Sequence, residues 1–194
     1  CWICRSTPLF YGNVVTTQTR KQFSVRRRFH YYDVIGQLSA AGSGFSGPMS
    51  IALGSDGLLY VANRANPNQP EAVRVTKCTK DGDYVDQFAE WGEDEGQYTW
   101  VNTIEFSQQG ELFLTDEHTQ RISVFGMDGR FIRSFGEQGT GDGQWDRPAG
   151  IVFDADGNLS VVDSLNHRVQ KMTPQGQYIA QWGSYGEGEG QFNM

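Results

Sequence analysis

Residues 147–170 read Arg147-Pro148-Ala149-Gly150-Ile151-Val152-Phe153-Asp154-Ala155-Asp156-Gly157-Asn158-Leu159-Ser160-Val161-Val162-Asp163-Ser164-Leu165-Asn166-His167-Arg168-Val169-Gln170, and this stretch decides how the rest of the chain is read. Two short apolar runs, 150–153 and 159–163, flank the turn formers Asp154-Ala155-Asp156-Gly157-Asn158, the pattern of a β-hairpin. A loop at 164–167 leads to a third run, 168–172, and the Pro174-Gln175-Gly176 turn leads to a fourth, 177–182. The spacing predicts four short strands per unit and nothing helical, which is the pattern of a propeller blade.

The same unit recurs on a fixed interval. Gly-Gln stands at Gly96-Gln97, Gly143-Gln144 and Gly190-Gln191, each 47 residues after the last. The turn glycines Gly82, Gly129 and Gly176 keep that interval, as do Arg74-Val75, Arg121-Ile122 and Arg168-Val169. A fourth marker, an aromatic followed by glycine at Trp91-Gly92, Phe135-Gly136 and Trp182-Gly183, fits with one slip of three residues. Such periodicity means units that cannot bury their apolar faces alone and stack on their neighbours. Leu59, Leu112 and Leu159, with Ile51, Ile104 and Ile151, are therefore expected between blades. The acid or amide at Asn63, Asp116 and Asp163 is expected to pair with Arg74, Arg121 and Arg168 across the loop between strands two and three, as scaffolding.

The strings Arg147-Pro148-Ala149-Gly150-Ile151, Asp156-Gly157-Asn158-Leu159, Val162-Asp163-Ser164 and Asn166-His167-Arg168-Val169-Gln170 resemble the NHL repeat. The resemblance covers three units, roughly residues 45–194. The second copy departs from it with Thr119-Gln120 at the Asn-His slot, and the first with a six-residue insertion that widens Leu59 to Leu112 to 53. It implies an all-β fold, a β-propeller of four-stranded antiparallel blades, commonly six, which takes about 280 residues. About three blades are expected here, near 45–97, 98–144 and 145–191, with a next one starting at 192, after an N-terminal extension over 1–30 read as poorly ordered. Met194 falls in mid-repeat, so the chain reads as a portion of a longer ring. Residues 24–40, with Phe29, Tyr31, Tyr32, Val34, Ile35 and Leu38, are expected to supply a strand that closes the ring.

Composition narrows the functions open to such a fold. Of 194 residues 24 are glycine, hydrophobic residues make up 38%, and mean hydropathy is −0.52. The longest apolar runs are strand-sized, against the roughly 20 residues of a membrane-spanning helix. The net charge of −7 is uneven. Residues 1–44 hold six cations, among them Arg26-Arg27-Arg28, against Asp33 alone; residues 45–194 hold ten cations against 22 anions, a net −12. Binding to nucleic-acid phosphates draws on clustered Lys and Arg, which disfavours RNA for the body. The Cys1-x-x-Cys4 pair lacks the second pair that a metal or redox site needs, so these read as fortuitous thiols. No signal peptide is read at the start, and the compartment stays open.

In an up-and-down blade the loops after strand two share a face with those leading to the next blade, and sites gather on loops. On that face lie Glu90, Glu93, Asp94, Glu95, Glu117, Glu137, Asp142, Asp146, Glu187 and Glu189 against Arg64 and Arg147. The binding candidates are Arg64, Asn66, Trp100, Asn102, His118, Trp145, Arg147 and His167. Aromatics and arginine are the types that anchor interfaces, and Asn66 lies in the insertion. Tyr98, Trp145 and Phe192 also read as plugs between blades, and His167 by default makes a structural hydrogen bond. The partner expected is a protein, peptide or small-molecule ligand, cationic in character. Some NHL-like propellers are zinc-dependent amidating lyases, and a calcium-dependent lactonase is another six-bladed type. No cofactor is predicted, yet an axial Zn or Ca site would draw here on Asn102 and Glu105. The turn at Asp154-x-Asp156-Gly157 is a hairpin turn, since an EF-hand needs Glu at the twelfth position, where Leu165 stands. The leaning is towards a non-catalytic scaffold.

Overall fold

Backbone at positive φ closes each turn that the sequence marks with glycine. In the computed structural model, which describes residues 34–39, 43–64 and 68–193, Gly82, Gly129 and Gly176 have φ of 93°, 81° and 84°. Each donates its N–H three residues back, to Thr79, Gly126 and Thr173. The Asp154 turn is a hairpin, as expected, with the carboxylate accepting the N–H groups of Asp156 and Asn158 at 3.0 and 2.8 Å.

These turns join three antiparallel four-stranded sheets. The first holds β1 (Pro48–Leu53), β2 (Leu59–Asn63), β3 (Arg74–Cys78) and β4 (Tyr84–Phe88). The two-residue strands β5 (Glu90–Trp91) and β6 (Gln97–Tyr98) form a parallel ladder that leads into the second sheet. That sheet holds β7 (Val101–Phe106), β8 (Leu112–Asp116), β9 (Arg121–Phe125) and β10 (Phe131–Phe135). A second ladder, β11 (Glu137–Gln138) and β12 (Gln144–Trp145), leads to β13 (Pro148–Phe153), β14 (Leu159–Asp163), β15 (Arg168–Met172) and β16 (Tyr178–Trp182). Among the described residues the one helical segment is the 3-10 turn Pro70–Ala72 beside the insertion, and no helix is long and apolar enough to cross a membrane. Two compact units are distinguished, Cys1–Ile35 and Gly36–Met194, and all the sheets lie in the second. The expected extension over 1–30 lies outside the described residues, as do residues 24–33 and 40 of the expected closing strand.

Alternation along each strand sends one set of side chains to each neighbouring blade. Between the first and second sheets Tyr60, Ala62 and Val75 meet Tyr98, Ile104, Leu112, Leu114 and Phe125. Between the second and third, Phe113, Ile122 and Val124 meet Trp145, Ile151, Leu159, Val161 and Met172. Aromatic rings lock edge to face within these layers, as in Phe113 on Phe153 at 5.0 Å and Tyr60 on Phe106 at 4.9 Å. At the rim the last residue of β4 and that of β10 each pack on a turn glycine of the next blade. A Cβ at Gly129 would stand 2.7 Å from Phe88, and one at Gly176 2.7 Å from Phe135.

The structure corrects one register. The glycines equivalent to Gly92 are Gly139 and Gly186, with φ near 150° in all three. They donate to the carbonyls of Tyr98, Trp145 and Phe192 at 3.2, 3.0 and 3.2 Å, and no slip is needed. Ser39 donates likewise to Phe45, and the bridges Leu38↔Phe45 and Tyr185↔Phe192 repeat the β5–β6 ladder. Residues 36–39 and 43–47 therefore repeat the pairing of the linkers that lead into a blade.

On the opposite face Arg133 clasps both Glu111 carboxylate oxygens at 2.9 and 2.8 Å and donates to Pro174 O at 2.9 Å, tying the second blade to the third. The clasp holds the Glu111 carboxyl below its ordinary value of 4.5. Its stabilisation is thus present above that value and is lost as pH falls through the depressed one. Glu111→Gln should lower stability at neutral pH by about 1 kcal/mol and flatten the acid limb of a pH series of urea melts. Gly176→Ala, which combines positive φ with the Phe135 contact, should cost about 2–4 kcal/mol in the same assay, against about 1 kcal/mol for Gly157→Ala, where φ is 81° and nothing lies within 4 Å.

Candidate functional site

A linker between blades runs past sheets whose ladders are already complete, so its amides and carbonyls need partners from side chains. The last residues of the second strands supply acceptors. Asp116 accepts the N–H groups of Thr99, Trp100, His118 and Thr119 at 2.7, 3.1, 2.9 and 3.3 Å. Asp163 accepts Asp146 N at 2.7 Å, and Asn63 accepts Ser46 N at 3.0 Å. The first residues of the third strands supply donors to one linker slot: Arg74 to Gly44 O, Arg121 to Gln97 O and Arg168 to Gln144 O, at 2.9, 3.2 and 3.0 Å. The expected acid–arginine pairing is present in the third blade, where Arg168 Nε meets Asp163 Oδ2 at 2.7 Å. In the second blade Asp116 turns to backbone amides, and Arg121 bonds Asp94 O and Gln97 O instead. The repeated Gln97, Gln144 and Gln191 fold each linker tip by accepting the N–H three residues back.

On the loop face the structure brings four of the candidates together across the first two blades. The Arg64 guanidinium bonds Glu117 Oε1 at 2.5 Å and lies 5.1 Å from the centre of the Trp100 ring. Asn102 Nδ2 donates to the other Glu117 oxygen at 2.8 Å. On from Trp100 the His118 ring follows at 5.2 Å, and His118 Nε2 meets Glu93 Oε1 at 3.2 Å. Trp100 is thus flanked by a guanidinium and an imidazole while remaining 37% exposed. Exposed Glu90, Glu93, Asp94 and Glu95 border the stack. Glu117 is its hub, although the sequence reading counted it only among the acidic loop residues. A signal was available, since Arg64, Glu117 and Ser164 share one repeat slot, and opposite charges in consecutive blades mark a cross-blade pair.

The other candidates lie elsewhere. Trp145 is fully buried between the second and third blades, against Gly136, and this corrects its place among the loop-face residues. Its large ring fills the gap that Tyr98 fills one blade earlier, and no face remains for a partner. Arg147 is exposed at φ 59° and joins the neighbouring blade through its backbone N–H to Gln120 Oε1 at 2.7 Å. His167, at φ 53°, packs edge-on against Tyr185 at 4.9 Å, and in place of the expected structural hydrogen bond its buried Nδ1 has no partner among the described residues. Asn66 lies outside the described residues. Glu105, on inner strand β7, is half-buried, and burial pushes its carboxyl up. Among the described residues no three His, Cys, Asp or Glu converge as metal ligands. Beside the stack, Glu93, His118, Thr119, Gln120, Arg121 and Gln138 line a polar groove of about 280 Å³.

Comparison with known proteins adds to the fold. A family model described as a 6-bladed beta-propeller matches residues 92–181. The chain is similar to a putative exported protein from Bacteroides fragilis, with a TM-score of 0.55 and 14% identity over 75% of this chain and 40% of that one. It is similar also to virginiamycin B lyase from Staphylococcus aureus in a structure with quinupristin, with a TM-score of 0.52 and 19% identity over 69% of this chain and 40% of that one. The chain therefore spans about two fifths of the length of these structures. No curated protein matches it. Likeness at such identities speaks for the fold alone, and with the repeated sheets it makes this chain an all-β propeller of four-stranded antiparallel blades.

Proposed function

We propose that the chain is part of a six-bladed, NHL-type propeller that works as a non-catalytic scaffold, binding a cationic protein or peptide on its loop face. The observation that carries this reading is the stack Arg64–Trp100–His118–Glu93, a preformed surface of hot-spot residue types on rigid strand ends. Arg64 and Glu117 neutralise each other within the stack, so the surrounding field is set by the exposed carboxylates of Glu90, Asp94 and Glu95, with that of Glu93 beside His118. Those carboxylates draw a cationic partner and repel a polyanion such as RNA.

A second reading is a lyase or lactonase with an axial Zn or Ca. It is supported by the half-buried Glu105, which has no hydrogen-bond or ion-pair partner among the described residues. The residues present do not fit an ion: Asn102 Oδ1 and the Glu105 carboxylate are the oxygens on offer, calcium takes six to eight oxygen ligands, and no three His, Cys, Asp or Glu converge among the described residues. Elemental analysis after chelation and dialysis tests this reading, which requires retained metal.

The scaffold reading is tested with peptides selected from a display library on the wild-type chain. The selected peptides should be enriched in Lys and Arg, and Trp100→Ala should weaken them about 30-fold with an unchanged unfolding midpoint. Equal affinity for wild type and variant would remove the stack from the interface.

A further inference from the structure

The second and third blades carry the same loop with different fillings. In the third, Asn166 Nδ2 donates to Gly139 O and Asp163 Oδ2 at 2.8 and 2.9 Å. Arg168 Nε donates to the same carboxylate oxygen, and Gln170 Nε2 donates to it at 3.2 Å and to Gln144 O at 2.7 Å. Gln170 Oε1 also accepts Gly143 N at 2.9 Å, which closes the network. The slots 47 residues earlier hold Thr119, Arg121 and Ser123. Thr119 is one atom shorter than Asn166, and Ser123 is two atoms shorter than Gln170.

All three positions in the second blade are left incomplete. Thr119 Oγ1, Arg121 Nε and Ser123 Oγ are buried and have no hydrogen-bond partner among the described residues. Ser123 is 1% exposed, and its counterpart in the first blade, Thr76, does have a partner in Asn63 Nδ2 at 3.1 Å. The carboxylate that would answer these donors, Asp116, is taken up by four backbone amides. Buried polar groups without partners are costly. Three at alternate positions, of which Thr119 and Arg121 border an open polar groove, point to a partner that completes them. Thr119 and Arg121 line that groove, with Glu93 and His118 at its rim.

We infer that this groove on the second blade is a seat for an amide group of a bound peptide, in the slot that the Asn166 carboxamide fills in the third blade. The ligand carbonyl accepts from Thr119 Oγ1 and Arg121 Nε, and its N–H shares Gly92 O, the counterpart of Gly139 O, with the Thr99 hydroxyl that donates to it at 3.2 Å. A neighbouring cationic side chain of the peptide faces Glu93. The inference rests on the proposed peptide-binding role of the loop face and names the contact that would read the peptide.

The test uses the whole chain, ¹⁵N-labelled, with the probe peptide acetyl-Gly-Asn-Lys-Gly-amide and a control in which leucine replaces the probe's asparagine. The third blade's own residues, installed as Thr119→Asn with Ser123→Gln, fill the seat from within. Expected are shifts of the 117–121 amide signals with the probe, about tenfold weaker binding of the control, and about tenfold weaker probe binding by the double variant. The double variant should also melt several degrees higher. If the double variant melts higher but the wild type shows no probe shifts at 117–121, the seat holds water only and the inference is overturned. If cationic peptides lose affinity in Trp100→Ala but bind the double variant unchanged, the loop-face reading stands and the amide seat falls. If neither variant alters binding, both fall.

Discussion

Between blades the backbone must change sheets, and the polar groups it exposes while doing so are the constraint on which everything else depends. The ladders cannot serve them, and the packed layers on either side exclude water. An acid or amide at the end of the second strand and an arginine at the start of the third meet this need in each blade, holding linker amides at Asn63, Asp116 and Asp163 and linker carbonyls at Arg74, Arg121 and Arg168. Buried charges of this kind are tolerable because several hydrogen bonds converge on each. With the linker held, the aromatic that follows it is placed between blades, as Tyr98 and Trp145 are.

That arrangement also explains where variation is permitted. The residues that hold the linker are repeated, while the loop residues beside them face solvent and differ from blade to blade. Arg64, Glu117 and Ser164 occupy one slot, and the difference among them creates a cross-blade ion pair between the first two blades and none between the next two. Thr119 and Ser123 against Asn166 and Gln170 are a second case, in which shortening two side chains opens a network that is closed one blade later. The candidate site is therefore a departure from the repeat, built on the scaffold that the repeat supplies.

Periodicity made the fold legible. The 47-residue interval, the turn glycines and the apolar alternation follow from local chemistry: positive φ at a tight turn, and side chains that point alternately to two neighbouring blades. The leucine slots, and the isoleucine slots of the second and third blades, are readable because each repeats; Ile51 in the first blade is only half-buried, and Ala52 beside it enters the core. Reading Trp91-Gly92 as the partner of Phe135-Gly136 went astray because aromatic-glycine pairs occur at two places in this linker. Only the hydrogen bonds from Gly92, Gly139 and Gly186 show which glycines correspond. Trp145 was placed both in the core and on the loop face, since its position beside the linker does not reveal how far the ring turns inward.

The sequence by itself determined the all-β class, the four-stranded unit, the position of each turn and the acidic character of the body, because these rest on residue type and spacing within one unit. Tertiary structure alone decided that Glu117 joins Arg64 to Asn102, that Arg64 and His118 flank Trp100, and that Asp116 turns away from Arg121. The two Glu117 contacts join residues 15 and 53 apart in the chain, within a blade and between blades, through side chains whose reach and rotamer depend on what their neighbours leave unfilled.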